Sequence, residues 1–383
     1  MKSIKKIAVI TTEYRRPAHA DVIVTRWLEP VATDAKWGRR KPAMQIASAY
    51  IEQHPENDNG REILGRHGVP IYETIDEVLC LGGKTLAVDA VILIGEHGDY
   101  PFNELGQQLY PRKRMFDAIV DVYRRSGKVA PIFCDKHLSW NFQWALDMYN
   151  TAKDMGFMLI SSSSIPFVDR YPPIELPLKG KLIEAVTPFF GPDESYGYHS
   201  FEFVQAIVET RPGGESGIES VTCFRGDDMW RRLDEGRWSK KLLDAALDAV
   251  RTYDAKSIKD GDMRELCKPN PRDGLTSAFE IRRLDGTVVT HINLHGYFTS
   301  WGIGMSIEGC ADPVACAPIK GDEHDFYGHF ARMSQYFEDA FLTGERPFDA
   351  KRSLITTGLT AAAMRARAQP GVPLETPELH ISY

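Results

Sequence analysis

Groups able to move protons or hold charge recur at the ends of short β-type runs in the first 165 residues. After Ile7–Thr11 come Thr12-Glu13-Tyr14-Arg15-Arg16 and then His19. Glu52-Gln53-His54 follow Gln45–Ile51, and Gly95-Glu96-His97-Gly98-Asp99-Tyr100 follow Val88–Ile94. Asp135-Lys136-His137 follow Ala130–Cys134, and a serine run, Ser161–Ser164, closes Phe157–Ser161. A lysine at a strand end inside a crevice can pass protons to and from an alcohol or carbonyl. Lys136 is the candidate, with Asp135 beside it; the alternative is an ion pair with Asp135 or another acid. His199, opening a helical pattern in the second half of the chain, suits a general base or hydrogen-bond partner; the alternative is packing against Tyr196 or Tyr198. His97, Asp99, His137 and Glu202 are candidates for substrate contact, although His-Gly-Asp-Tyr-Pro is also turn chemistry. Histidines and carboxylates in one crevice are also what Zn²⁺ or Mn²⁺ requires, and His19, His97 and His199 would be the ligands. No His-Glu-x-x-His spacing accompanies them. The serine run lacks a Gly-x-Ser-x-Gly context and reads as a polar loop.

The elements that must position these groups follow from the hydrophobic pattern. Six short apolar runs alternate with helical patterns up to residue 165: Ile7–Thr11, Gln45–Ile51, Val69–Tyr72, Val88–Ile94, Ala130–Cys134 and Phe157–Ser161. That rhythm predicts βαβ units and a Rossmann-like, doubly wound parallel sheet of order 3-2-1-4-5-6. Ligands of such sheets bind beyond the carboxyl ends of the strands, where the order reverses. After residue 166 longer runs appear, at Leu182–Phe189, Ile218–Phe224, Ser277–Arg283, Val288–Asn293 and Gly304–Ile307, with a hairpin turn at Leu284-Asp285-Gly286. They predict an α+β domain over 166–383 with an open, mostly antiparallel sheet, its closing helix packing back on the 1–165 domain. Too few helices to cover both faces predict that this sheet pairs subunits. Trp37 with Arg39-Arg40-Lys41 falls in a long loop that reads as a surface lid or a subunit contact.

Four segments, in order, resemble the Gfo/Idh/MocA oxidoreductases. The first is Ile51-Glu52-Gln53-His54-Pro55-Glu56 with Arg66-His67-Gly68-Val69-Pro70-Ile71-Tyr72, similar to that family's second βα unit. Asp135-Lys136-His137 resembles its Glu-Lys-Pro motif, whose lysine is catalytic. Gly197-Tyr198-His199-Ser200-Phe201-Glu202 resembles its Gly-x-His-x-x-Asp segment, and Gly344-Glu345-Arg346-Pro347-Phe348 its closing segment. The resemblance implies hydride transfer between NAD or NADP and a sugar, cyclitol or related polyol. Lys136 and His199 would handle the alcohol proton. Thr11, Thr12, Arg15, Arg16 and Glu52 would hold the cofactor, with Glu52 on the adenosine ribose.

One departure from the family motivates alternatives. Its glycine-rich first loop is here Thr11-Thr12-Glu13-Tyr14-Arg15-Arg16-Pro17, without glycine. The glycines let backbone approach a pyrophosphate. The expectation is therefore a weaker dinucleotide site, or a pyrophosphate displaced over Arg15 and Arg16. The alternatives are a dinucleotide-independent, divalent-metal-assisted lyase, isomerase or hydrolase, and a non-catalytic ligand sensor.

Composition narrows the partners. The 383 residues are 43% hydrophobic and 26% charged, with a net charge of −7. No basic stripe suggests nucleic acid, and no apolar run reaches the roughly 18 residues of a membrane helix. The N-terminal Ile7–Ile10 run is too short for a secretory signal core. Six scattered cysteines show no Cys-x-x-Cys pair. These features predict a cytoplasmic protein with a small polar substrate, assembled as a homo-dimer or tetramer.

Overall fold

The computed structural model describes residues 4–269 and 276–383, which divide into two compact units. The first takes the chain up to Pro101, Gln108–Phe167 and Lys320–Leu354. The second takes Phe102–Gln107, Val168–Ile319 and Ile355–Tyr383. The helix Ala350–Ala366 begins in the first unit and continues in the second.

The first unit is built on β1 (Lys6–Thr11), β2 (Gln45–Ile51), β3 (Ala90–Ile94), β4 (Ile132–Asp135) and β5 (Leu159–Ser162). All are parallel, in the order β2-β1-β3-β4-β5. Every residue of β3, Ala-Val-Ile-Leu-Ile, is buried, as a strand covered on both faces must be. The helices His19–Leu28, Gly60–Arg66, Ile75–Cys80, Arg112–Ser126 and Phe142–Met155 lie between the strands in sequence. Local chemistry sets their ends. Thr74 and Asn141 accept the Glu77 and Trp144 amides as N-caps, and left-handed Gly127 and Gly156 stop the two longest.

The expected third strand, Val69–Tyr72, is reduced to one bridge between Ile71 and Ala49 of β2. It lies where the predicted order places it. Pro70 brings no N–H, and the N-cap Thr74 turns the chain into the next helix before a ladder can extend. The helix His329–Thr343 also belongs to this unit; its Phe337 stacks on Phe133 at 4.2 Å and on Trp27 at 5.8 Å. The Trp37–Lys41 loop is pinned to that helix's end of the unit. Trp37 Nε1 donates to Asp325 at 3.0 Å, and buried Arg39 pairs with Glu338. Its Trp37 and Arg39 are held against the rest of the unit, while Arg40 and Lys41 stay exposed.

The second unit holds β6 (Arg170–Tyr171), β7 (Leu182–Phe189), β8 (Ile218–Arg225), β9 (Ser277–Arg283), β10 (Val288–Asn293), β11 (Ile303–Ile307), β12 (Val314–Pro318) and β13 (Leu374–Glu375). Their order is β13-β8-β9-β10-β7-β11-β12-β6, antiparallel except for β7 with β10. The turn at Leu284-Asp285-Gly286 forms as expected, with Gly286 left-handed and Asp285 accepting the Thr287 amide at 2.9 Å. The edge strands β6 and β13, and β12 beside β6, are too short, or too poor in alternation, to stand out in sequence. Lys240–Tyr253 packs Leu243, Leu247 and Val250 into a core with Val186 and Ile292. Helix Ser195–Val208 packs on β7 and β10 and is buried from Gly197 onward. Consecutive residues of β9 and β10 are buried, so both faces of these strands are covered. The premise that helices are too few to cover both faces of the sheet therefore does not hold for these strands.

Candidate active site

The sheet order puts the ends of β1, β3 and β4 side by side, and two strained residues mark that edge. Five described non-glycine residues have positive φ, and two of them are His97, after β3, and Lys136, after β4, at 70° and 63°. Such backbone costs about 1–3 kcal/mol and persists only where its surroundings fix it. Lys136 is fixed through its main chain: its N–H donates to Ser162 O at 3.1 Å, and its carbonyl accepts the Ser161 hydroxyl.

The strained turn delivers a charge cluster. Lys136 Nζ donates to Glu96 Oε1 at 2.7 Å, and Arg112 Nη2 pairs with Glu96 Oε2. Each of the three side chains is about 5% exposed or less. Burial alone would raise the Glu96 carboxyl, but the Lys136 ammonium and the Arg112 guanidinium overcome it and hold Glu96 well below the usual carboxylate range. Gly95 makes the approach possible, because a Cβ there would stand 2.5 Å from Arg112 Cγ. Thr12 Oγ1 secures the turn by donating to Glu96 O at 2.7 Å. Buried His137 is driven well below the normal histidine range by desolvation and then by Arg112. His97 is pushed down to about 3 by burial and then by His19.

Asp135 does not join this cluster. Fully buried, it meets His19 Nδ1 at 2.6 Å through Oδ2. His19 opens the helix after β1, and its ring meets His97 and Phe330 edge-on, each at 5.0 Å between centroids. Arg112 and the His19–Asp135 pairing were not assigned from sequence; the only trace of Arg112 is the glycine at 95 that makes room for it.

His199 and Glu202 lie in the second unit, on Ser195–Val208. His199 is 8% exposed and packs against Trp301 at 5.4 Å and Tyr196 at 6.1 Å, which is the packed alternative raised from its sequence neighbours. Glu202 is fully buried. Among the described residues no three of His, Cys, Asp and Glu form a metal-holding group; His19 and His97 lie in the first unit and His199 in the second.

No family model matches the chain, and no curated protein matches it by sequence. Solved structures match it over nearly its whole length. Scyllo-inositol dehydrogenase from Lactobacillus casei is 10% identical, with a TM-score of 0.58, covering 97% of this chain and 98% of its own. A probable dehydrogenase from Thermotoga maritima is 12% identical, with a TM-score of 0.59 and coverage of 98% and 99%. GenD2 from gentamicin A biosynthesis, in complex with NAD, is 11% identical, with a TM-score of 0.60 and coverage of 97% and 96%. The chain has the Gfo/Idh/MocA fold.

In a Gfo/Idh/MocA fold a dinucleotide would cross the carboxyl end of the first strand. Here that passage is laced. Thr12 N–H donates to Ile94 O at 3.1 Å, and the Thr11 hydroxyl is spent on Glu13 O. The Glu13 carboxylate accepts the Gly98 N–H and pairs with Arg15 at 2.7 Å; burial raises its pKa. Because β1 lies between β2 and β3, bonds from the β2 end to the β3 loop pass over it. Gln53 makes two of them, accepting the Asp99 amide at 2.8 Å and donating to Asp99 O at 3.2 Å. Glu52 sits where an acid would take a ribose, yet accepts Tyr100 Oη at 2.7 Å and pairs with Arg114. Arg16 is mostly exposed, 4.0 Å from Asp21. In this arrangement Glu13, Glu52 and Gln53 are engaged by protein partners at the strand end where a dinucleotide would cross.

Proposed function

We propose that this chain is an oxidoreductase acting on a polyhydroxylated small molecule of the cyclitol or sugar class, with its reaction centre at the Glu96–Lys136–Arg112 cluster. The observation that carries the reading is the state of Lys136. Its ammonium has three donors. Glu96 is its one hydrogen-bond partner among the described residues, leaving two N–H groups for a substrate oxygen. Glu96 and the left-handed turn fix where that ammonium stands, which is the preorganisation a substrate alkoxide or carbonyl oxygen needs. Arg112 pairs with the other Glu96 oxygen. Dehydrogenases share the fold, and GenD2 carries NAD. We infer that a nicotinamide dinucleotide enters this chain only when the Gln53–Asp99 and Glu52–Tyr100 contacts part.

The laced crevice favours a second reading, a dinucleotide-independent acid–base enzyme on the same scaffold. The test combines turnover of a polyol panel with calorimetric titration of NAD⁺, NADH, NADP⁺ and NADPH. Lys136→Ala should keep the fold by circular dichroism and lose roughly 100-fold or more in turnover. Lys136→Arg should not rescue it, because a guanidinium releases no proton near neutral pH. Unchanged turnover in Lys136→Ala removes the cluster from the mechanism. Turnover without binding of any dinucleotide moves the protein to the second reading.

A further inference from the structure

We propose that His19, oriented by Asp135, is a second proton-exchanging group of this centre, working through Nε2 on a substrate hydroxyl. The inference rests on the reading that the strand-end cluster is where substrate reacts. Asp135 is fully buried, and Oδ1 makes no hydrogen bond among the described residues, so the His19 contact at 2.6 Å is the carboxylate's one hydrogen bond. A buried carboxylate without a partner is costly, so this bond is strongly held. It fixes the imidazole with its proton on Nδ1, which leaves the Nε2 lone pair as the basic site. The edge contacts of Phe330 and His97 hold the ring plane. The side chain keeps 13% of its surface exposed, unlike Asp135.

The division of partners completes the case. Lys136 is engaged by Glu96 and not by its neighbour Asp135, so the donor and the base each have their own carboxylate. His97, buried and pushed down to about 3, stays neutral beside His19 and does not compete for the proton. The charged or titratable groups facing His19 are Asp135 from β4, Glu96 and His97 after β3, and His329 from the helix His329–Thr343. In the step itself a substrate O–H bond breaks and an Nε2–H bond forms. The electron pair stays on oxygen, and the resulting imidazolium is stabilised by Asp135. The return step is the reverse.

The test uses the full-length protein. In ¹⁵N-histidine-labelled protein, with His19 assigned by its absence in His19→Gln, the wild-type resonance should show the Nδ1–H tautomer, and Asp135→Asn should lose that preference. Diethyl pyrocarbonate should acylate His19 several-fold more slowly in Asp135→Asn than in wild type, read by peptide mass spectrometry. Asp135→Glu should restore the wild-type rate in part. His19→Gln and Asp135→Asn should each lower turnover about 100-fold with little change in KM. The double variant should be no worse than the more damaged single one, as expected of residues acting as a unit. An Nε2–H tautomer in wild type, or equal acylation in wild type and Asp135→Asn, overturns the dyad even if no polyol is turned over. Full turnover in His19→Gln overturns its role while leaving Lys136 in place. Loss of turnover in Lys136→Ala alone would show that the proposed function survives the failure of this inference.

Discussion

Glu96→Gln isolates the residue on which the cluster turns. Glu96 neutralises two cations at once, Lys136 at 2.7 Å and Arg112, with every side chain nearly buried. Removing one partner of a buried ion pair typically costs about 3–5 kcal/mol, because a desolvated charge is left behind. Glutamine keeps one acceptor oxygen, so one of the cations retains a neutral hydrogen bond and the other loses its partner. A loss of about 3–5 kcal/mol in urea denaturation at pH 7 is expected. The exposed Arg114 on Glu52 provides the contrast: Glu52→Gln should cost only about 0–1 kcal/mol. Adding Lys136→Met to Glu96→Gln should recover part of the loss, with a coupling of about 0.5–3 kcal/mol. The pH dependence fixes the sign. The Glu96 carboxyl lies well below its ordinary value of 4.5, so its contribution is fully present above about that pH and disappears as pH falls through the depressed value. The gap between wild type and Glu96→Gln should therefore be equal at pH 7 and pH 5.5, and shrink only in more acid solution. A loss below about 1 kcal/mol, or a gap that halves between pH 7 and pH 5.5, would refute this account of the cluster.

Other outcomes follow from the same geometry. Gln53→Ala removes two bonds that bridge the β2 end and the β3 loop, each worth about 0.5–1.5 kcal/mol net, so dinucleotide affinity should rise roughly 5- to 150-fold by calorimetry. An unchanged or lower affinity would show that the bridge is no barrier. Gly95→Ala places a Cβ 2.5 Å from Arg112 Cγ and should lower stability by about 1–3 kcal/mol, seen as a reduced Tm; a wild-type Tm contradicts the close approach. Buried His137, His291 and His329 all have pKa values depressed by burial, His329 to about 3. Their neutral forms stabilise the fold above the unfolded value of about 6.5, and each should withdraw about 1.4 kcal/mol per pH unit below it. A urea midpoint that stays level from pH 7.5 to 5.5 would exclude this.

Much of the scaffold was legible because its signals are local. The fully apolar run into Ile94 and the turn at Asp285-Gly286 act over a few residues, and each formed where the pattern placed it. Val69–Tyr72 failed as a strand for an equally local reason that the pattern had outweighed, the missing N–H of Pro70. The strand-end residues were also legible as a set, because a parallel sheet collects the residues that follow its strands on one edge.

Their pairings were not. Asp135 and Lys136 adjoin in sequence, yet one ends β4 and the other turns off it in left-handed backbone, so they face different partners. Asp135 meets His19 across 116 positions of chain, and Lys136 meets Glu96 across 40. Glu52 kept its place at the end of β2, but Arg114 and Tyr100 arrived to occupy it. The sequence by itself determined which residues would stand on the edge, since hydrophobic periodicity and turn chemistry act between neighbours. Only the tertiary structure decided which of them touch, since sheet order and the direction of each turn bring together residues that nothing in their spacing connects.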